Sequence, residues 1–345
     1  MDRFLPQTNA LSERINDQAT DLYNRLQGID VESLPIPYYC KEYFKGSHAR
    51  RLFFSIETSA HILFRSVTLK TKPIDDLILM DYGAGVGTLY LLAKMCGCKK
   101  VIYNDHLEDW KNSAQVIAET IGINIDEYII GDIEHTLKEI NEKKISCDII
   151  TSRNVIEHIY KLEQFYHSIY LHQPTVLVFS STTANYHNPA SHLKHILWHK
   201  KWEKTYLQQR LELIKNLTPE VDPSEIQRVA KSTRGLAAED LKQAITTYLQ
   251  TNILPDPSVY HTNTCDPANG VWAEHLITFE EYKNLINEKY FHISFVPGFW
   301  DTHYNSAWKN ILSRSLNAVI RSAGRSGIKL APFIYVIAEG RNTKD

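Results

Sequence analysis

The segment LILMDYGAGVGTLYLLAKM, residues 77–95, constrains the fold more than any other part of the chain. Residues 77–80 are an apolar run of the length and kind found in strands buried on both faces. Residues 86–95 read as a helix. Between them Asp81, Gly83, Gly85 and Gly87 form a turn almost free of side chains. A strand entering a helix through such a turn is the start of a parallel βαβ unit. It also lets a bulky ligand lie against backbone where a Cβ would collide.

The alternation continues downstream. KKVIYND is followed by a helix over 107–121, DEYIIGD by a helix from Glu134, CDIITS by a helix over 156–170, and then comes PTVLVFSS. Five short apolar strands separated by helices predict a parallel sheet covered on both faces. Residues 1–70 read as helical, with Leu52, Ile56, Ala60 and Leu63 about one turn apart. Residues 188–250 are again helical, and the alternation resumes with TFEEYKNLINEKY, FHISFVPGFW, a helix near 305–322 and APFIYVIAEG. In TFEE, Thr278 and Glu281 have the spacing of a capping box. The expected division is a helical N-terminal cap or lid (1–70), a sheet domain (71–187 and 273–345) and a helical insert shaping the substrate side (188–272).

Composition narrows the function. A net charge of −2 gives no whole-molecule attraction to nucleic acid. No apolar run reaches the roughly 18 residues of a membrane span, and the polar N-terminus lacks a signal-peptide core, so a cytoplasmic location is expected. The five cysteines are an odd number, Cys96 and Cys98 have no second pair, and reduced thiols are expected.

The glycine turn does not follow the dinucleotide pattern Gly-x-Gly-x-x-Gly, because the third glycine comes one residue early. Asp81 inside the turn suits a ligand with a positive amino group and disfavours a pyrophosphate. Asp105, ending the second strand, is placed to accept from a ribose diol. Asp132 ends the third strand, where it can accept from an adenine amine with Ile133 against the ring. The bland alternative for both acids is a helix N-cap.

The ordered set MDYGAGVGTLY, VIYNDHLED, IIGDIEH, CDIITSRNVIEHI and PTVLVFSS resembles the class I S-adenosylmethionine-dependent methyltransferases over residues 77–181, and loosely over 275–340. The resemblance implies a doubly wound, Rossmann-like methyltransferase sheet, mostly parallel with an antiparallel last strand, and S-adenosylmethionine as cofactor. It implies that Asp81 and the Gly83, Ala84 and Gly85 backbone hold the methionine portion. Asp105 takes the ribose, His106 lies on the adenine, Asp132 and Ile133 define its pocket, and Asn154 lines the methionine side.

NVIEHI resembles the ubiquinone-biosynthesis O-methyltransferases, which carry Glu-x-x-Glu-His there. Glu157 and His158 match, but Asn154 stands where the first Glu would be, so no metal is expected. His158 is the first candidate base. WAEHLITFEEY resembles the His-containing segment before the sixth strand and makes His275 a second candidate. SSTTANYHNP after the fifth strand offers His187 as a third, with Tyr186 as a substrate contact. YYCKEYFKGSHARRLFFSIE resembles that group's lid, in which Arg51 or Arg50 pairs with the cofactor carboxylate and Tyr39 and Tyr43 close over the methyl group. In the insert, HLKHILWHKKWEKTYL reads as a buried stripe of Leu193, Ile196 and Leu197 with solvated lysines; the alternative is that its histidines, lysines and tryptophans meet an anionic or lipid-like substrate, or a membrane surface.

The expected activity is methyl transfer to a small or medium-sized acceptor, favouring oxygen. A peptide- or protein-modifying methyltransferase, a non-catalytic binder of the cofactor or its product, and an NAD or nucleotide-sugar enzyme are the alternatives. No nucleic-acid partner and no stable membrane insertion are expected, and the oligomeric state is open.

Overall fold

The structure is a computed structural model and describes residues 3–255 and 262–341. Two long helices precede the sheet: α1 (Ala10–Gln27) and α3 (Leu52–Lys70), joined through the short α2 (Tyr38–Tyr43). A π-turn (Phe44–His48) and a 3-10 turn (Ala49–Arg51) lead from α2 into α3. The first half of the sheet alternates as β1 (Ile78–Asp81), α4 (Leu89–Met95), β2 (Lys100–Asp105), α5 (Glu108–Thr120), β3 (Glu127–Ile130), α6 (Ile133–Glu142), β4 (Ile149–Arg153), α7 (Leu162–His172) and β5 (Leu177–Thr182). Then come α8 (Pro189–Leu217), α9 (Pro223–Ser232), α10 (Ala238–Thr251), α11 (Phe279–Ile286), β6 (Phe291–Pro297), α12 (Ala307–Ser322) and β7 (Ile334–Gly340).

The sheet order is β3-β2-β1-β4-β5-β7-β6. The first five strands pair in parallel, and β7 runs antiparallel between β5 and β6. This is the expected Rossmann-like, mostly parallel sheet with an antiparallel last strand. The strand order reverses between β1 and β4, and a crevice at the carboxyl ends of strands forms at such a switch point.

One apolar core lies between the sheet and α1, α3, α4 and α5, with Ile15, Leu22, Ile56 and Ala60 buried against Leu79 and Leu91. The N-terminal helices are thus a layer of the sheet core as well as a roof for the crevice. A second core packs α6, α7 and α11 on the opposite face. Helices α8 to α10 close a small core of their own around Ile214, Val229, Leu241 and Ile245. The capping box forms: Thr278 N–H donates to Glu281 Oε2 at 2.9 Å, and Glu281 N–H to Thr278 Oγ1 at 3.3 Å.

Two sequence expectations are corrected. The helix predicted from Ile156 is a 3-10 turn (Ile156–His158), and α7 begins only at Leu162. The stripe predicted on α8 faces the other way: Leu193 and Leu197 are 59% and 58% exposed, while His195 and His199 are buried. The cause is polar. His195 Nε2 lies 2.6 Å from Glu274 Oε2, and His199 Nε2 lies 3.0 Å from the Glu274 carbonyl. Those bonds turn the histidine face inward and the leucines out.

Candidate functional site

The first wall of the site is the glycine turn after β1. Its backbone is pinned to the end of β2: Ala84 N–H donates to the Asn104 carbonyl at 2.9 Å, and Gly85 N–H to Asp105 Oδ2 at 2.9 Å. The Tyr103 hydroxyl donates to the Gly85 carbonyl at 3.0 Å. Gly83 has φ +64°, and a Cβ there would stand 2.7 Å from Val155 Cγ2. Gly85 has φ +51°, and a Cβ on it would point into open space. Gly83 therefore lets β1 and the post-β4 turn approach, whereas Gly85 keeps bare backbone facing a cleft of about 740 Å³. That volume lies within the ~300–1,000 Å³ of ligand sites.

Three acids line this cleft at consecutive strand ends. Asp81 is buried, accepts from Tyr90 N–H and Thr151 Oγ1, each at 3.1 Å, and is pushed up to about 7 by burial, with Arg153 pulling the other way. Asp105 holds Gly85 N–H and Leu107 N–H. Its Oδ1 lies 3.2 Å from His106 Nδ1 and raises that imidazole's pKa. Asp132 caps α6, accepting from His135 N–H at 2.9 Å, so its capping role is realised at the cleft edge. Asn154, also in the wall, has φ +57°, a left-handed conformation that asparagine tolerates better than most residues.

Arg153, the last residue of β4, is the cleft residue that sequence reading missed. Its Nη1 donates to the Ser55 carbonyl at 2.8 Å, to Ser55 Oγ and Ser59 Oγ at 3.1 Å each, and to Thr88 Oγ1 at 3.4 Å. Those acceptors are uncharged, and among the described residues no carboxylate reaches salt-bridge distance of it, so Asp81 acts on it only through space. The signal was a cation ending a buried strand, but its surroundings come from α3, almost a hundred residues earlier.

His158 lines the cleft from the post-β4 turn. Its Nδ1 lies 2.8 Å from the Trp272 carbonyl, and its own carbonyl accepts from Trp272 N–H at 3.2 Å. His275 N–H donates to the Glu157 carbonyl at 2.8 Å. Residues 271–275 thus dock along the turn as a backbone brace. Glu157 is buried beneath it; Oε1 accepts from Thr183 N–H at 3.3 Å, Oε2 has no partner, and burial pushes the carboxyl up to about 7. Among the described residues no group of three or more His, Cys, Asp or Glu is arranged to hold a metal ion.

The structure brings together Asp81, Gly83, Ala84, Gly85, Asp105 and Asp132, and with them His106, Asn154, His158, Arg51 and Tyr43. Arg51 is engaged already: Nε donates to Asp301 Oδ2 at 2.9 Å, and the guanidinium lies over Phe54. Tyr43 meets Trp110 edge-on. The remaining candidates lie outside the cleft wall. His275 is buried, stacks on Trp272 at 4.2 Å, and is pushed down to about 3 by burial. His187 stacks on Phe279 at 3.8 Å, and burial, then Lys329 and Arg325, lower its pKa. Tyr186 packs edge-on against His192 and His187. Tyr39 donates to Asp109 at 2.9 Å behind Trp110, and Ile133 is buried under the start of α6. The physical reason is shared: packing and local bonds claim each of these side chains before a ligand does.

No protein-family model matches the sequence, and no curated protein does. Solved structures that match include the plantazolicin methyltransferase BpumL in complex with SAH, at 12% identity and a TM-score of 0.39 over 96% of this chain and 100% of that one. An S-adenosylmethionine-dependent methyltransferase from Archaeoglobus fulgidus matches at 13% identity and TM-score 0.40, over 88% and 100% of the two chains. One from Mesorhizobium loti matches at 14% and 0.39, over 81% and 98%. These likenesses are remote, and a functional reading has to stand on the cleft itself.

Proposed function

We propose that the chain is an S-adenosylmethionine-dependent methyltransferase acting on a small or medium-sized acceptor, with oxygen as the acceptor atom. The observation that carries the reading is the cleft at the β1/β4 switch point, where Asp81, Asp105, Asp132 and Asn154 gather around bare Gly85 backbone.

These residues fit the cofactor by charge and shape. Asp81 faces its ammonium, Asp105 its ribose diol and Asp132 its adenine edge. Its carboxylate goes to Arg153, which no carboxylate contacts directly, rather than to Arg51, which Asp301 already engages. When bound, S-adenosylmethionine supplies a methyl group on a sulfonium, a good leaving group, so the protein's work is mostly orientation. His158 removes the acceptor proton: its Nδ1–H donates to the Trp272 carbonyl and leaves Nε2 as the basic atom. Tyr43, Trp110 and the α2–α3 segment roof the cleft and exclude water.

The test is calorimetric titration with S-adenosylmethionine, S-adenosylhomocysteine and NAD in parallel. Binding of the first two without the third is the expected result. Binding of NAD alone removes the reading. Cofactor binding with no turnover in an acceptor screen supports a non-catalytic binder instead.

A further inference from the structure

Helix α12 is folded with its apolar side outward. Trp308, Ile311, Leu312 and Val319 fall along one stripe of the helix and are 63%, 64%, 51% and 50% exposed. The buried side contains two polar residues, Ser313 and Asn317, and only one large apolar one, Ile320. Asn317 explains the orientation: its amide clasps both backbone groups of Trp300, accepting from the N–H at 2.7 Å and donating to the carbonyl at 2.8 Å. The helix is therefore held by polar bonds, and its stripe, about 16 Å long from Trp308 to Val319, stays half or more exposed along its length.

Charge says what covers it. From Thr302 to Ala338 there is no Asp or Glu, while Lys309, Arg314, Arg321, Arg325 and Lys329 all fall within that span. Lys309 Nζ lies 5.8 Å from the Trp308 ring centroid, bringing cation and indole together at the start of the stripe. Arg325 lies over the Phe279 ring and, with Lys329, acts on His187, so the cations carried by α12 itself are Lys309, Arg314 and Arg321; a second copy meeting the same face would bring these like charges together, which opposes a symmetric dimer. An apolar stripe with an exposed tryptophan and flanking Lys and Arg is the pattern of a helix lying in the surface plane of an anionic bilayer.

We propose that α12 is a peripheral docking helix for anionic lipid surfaces. Trp308, Ile311, Leu312 and Val319 enter the headgroup region, and the basic residues of α12 meet lipid phosphates. This is surface association: no helix among the described residues is long and apolar enough to cross a membrane. The segment that Asn317 clasps continues into Asp301, the partner of Arg51 on the cleft wall, so α12 is tied to the cleft wall through two hydrogen-bonded contacts.

The test is co-sedimentation of the full chain with vesicles of phosphatidylcholine alone and with about 30% phosphatidylglycerol added. The expected result is sedimentation with the anionic vesicles only, weakened by high salt. A Trp308→Ser/Leu312→Ser double variant should lose at least about tenfold in partitioning with an unchanged melting temperature. Ile311→Ser serves as a second, milder variant expected to weaken binding in the same direction. Wild-type protein that ignores anionic vesicles, or a double variant that binds them as well as wild type, overturns the proposal. A concentration-dependent dimer that the double variant dissolves, with no vesicle binding, would assign the face to a second copy and overturn it too.

Discussion

His158 Nδ1 stands 2.8 Å from the carbonyl oxygen of Trp272, more than a hundred residues away in the chain. A carbonyl only accepts, so the ring hydrogen of neutral His158 sits on Nδ1 and its Nε2 carries the lone pair. The brace thereby selects a tautomer and orients the ring.

For a hydroxyl acceptor, His158→Ala should lower kcat by about 10²–10⁴-fold, the usual span for a positioned base. Affinity for S-adenosylhomocysteine should change little, because His158 has no part in holding the cofactor. His158→Gln should not restore the rate. Steady-state kinetics with calorimetry distinguishes these, and a variant retaining full kcat removes His158 as the base.

Arg153 predicts a division between ligands. Arg153→Met should weaken S-adenosylhomocysteine by about 1.5–3 kcal/mol, the worth of a charge-assisted hydrogen bond. Methylthioadenosine, which lacks the amino-acid portion, should bind both proteins alike. Equal losses for both ligands would mean that the variant disturbs the cleft through Ser55, Ser59 and Thr88.

Asp81 gives the binding a pH dependence. Its carboxyl is pushed up to about 7 in the free protein, so below that pH it carries a proton. A ligand ammonium favours the charged form, so affinity should rise as pH goes from 5.5 to 7.5, by at most about tenfold per unit, with proton release at pH 6. Calorimetry in buffers of different ionisation enthalpy reads that proton directly. Asp81→Asn should bind more weakly and show no such rise; a flat wild-type profile would place Asp81 away from the ammonium.

Much of this arrangement was legible in the sequence, and the reason is periodicity. Five apolar runs of strand length, each ending in a polar residue, specify where the crevice lies and set Asp81, Asp105, Asp132 and Asn154 around it. What was hidden depends on contacts between distant segments. Arg153 was indistinguishable from a solvated strand end until α3 placed Ser55 and Ser59 beside it. His275 and His187 looked available because no local pattern announces stacking on Trp272 or Phe279. The α8 stripe was read by hydrophobicity, yet Glu274 outcompeted Leu193 and Leu197 for the orientation of the helix. With the helix turned the other way, the Glu274 carboxylate would lose its contact with His195 and keep only the Thr183 hydroxyl, a larger cost than two exposed leucines.

Glu157 makes the last prediction, one of stability. Its carboxyl is buried with Oε2 unpartnered and pushed up to about 7, above the roughly 4.3 of an unfolded chain. A raised carboxyl contributes stability that is complete below the unfolded value and lost as pH rises through the folded one. Charging Glu157 therefore costs the fold between about pH 4.3 and 7. Glu157→Gln keeps an acceptor for Thr183 N–H without the charge. In urea unfolding it should match wild type within about 0.5 kcal/mol at pH 4 and exceed it by about 1–3 kcal/mol at pH 8. A difference that stays constant across that range would show that the folded carboxyl ionises as it does in the unfolded chain.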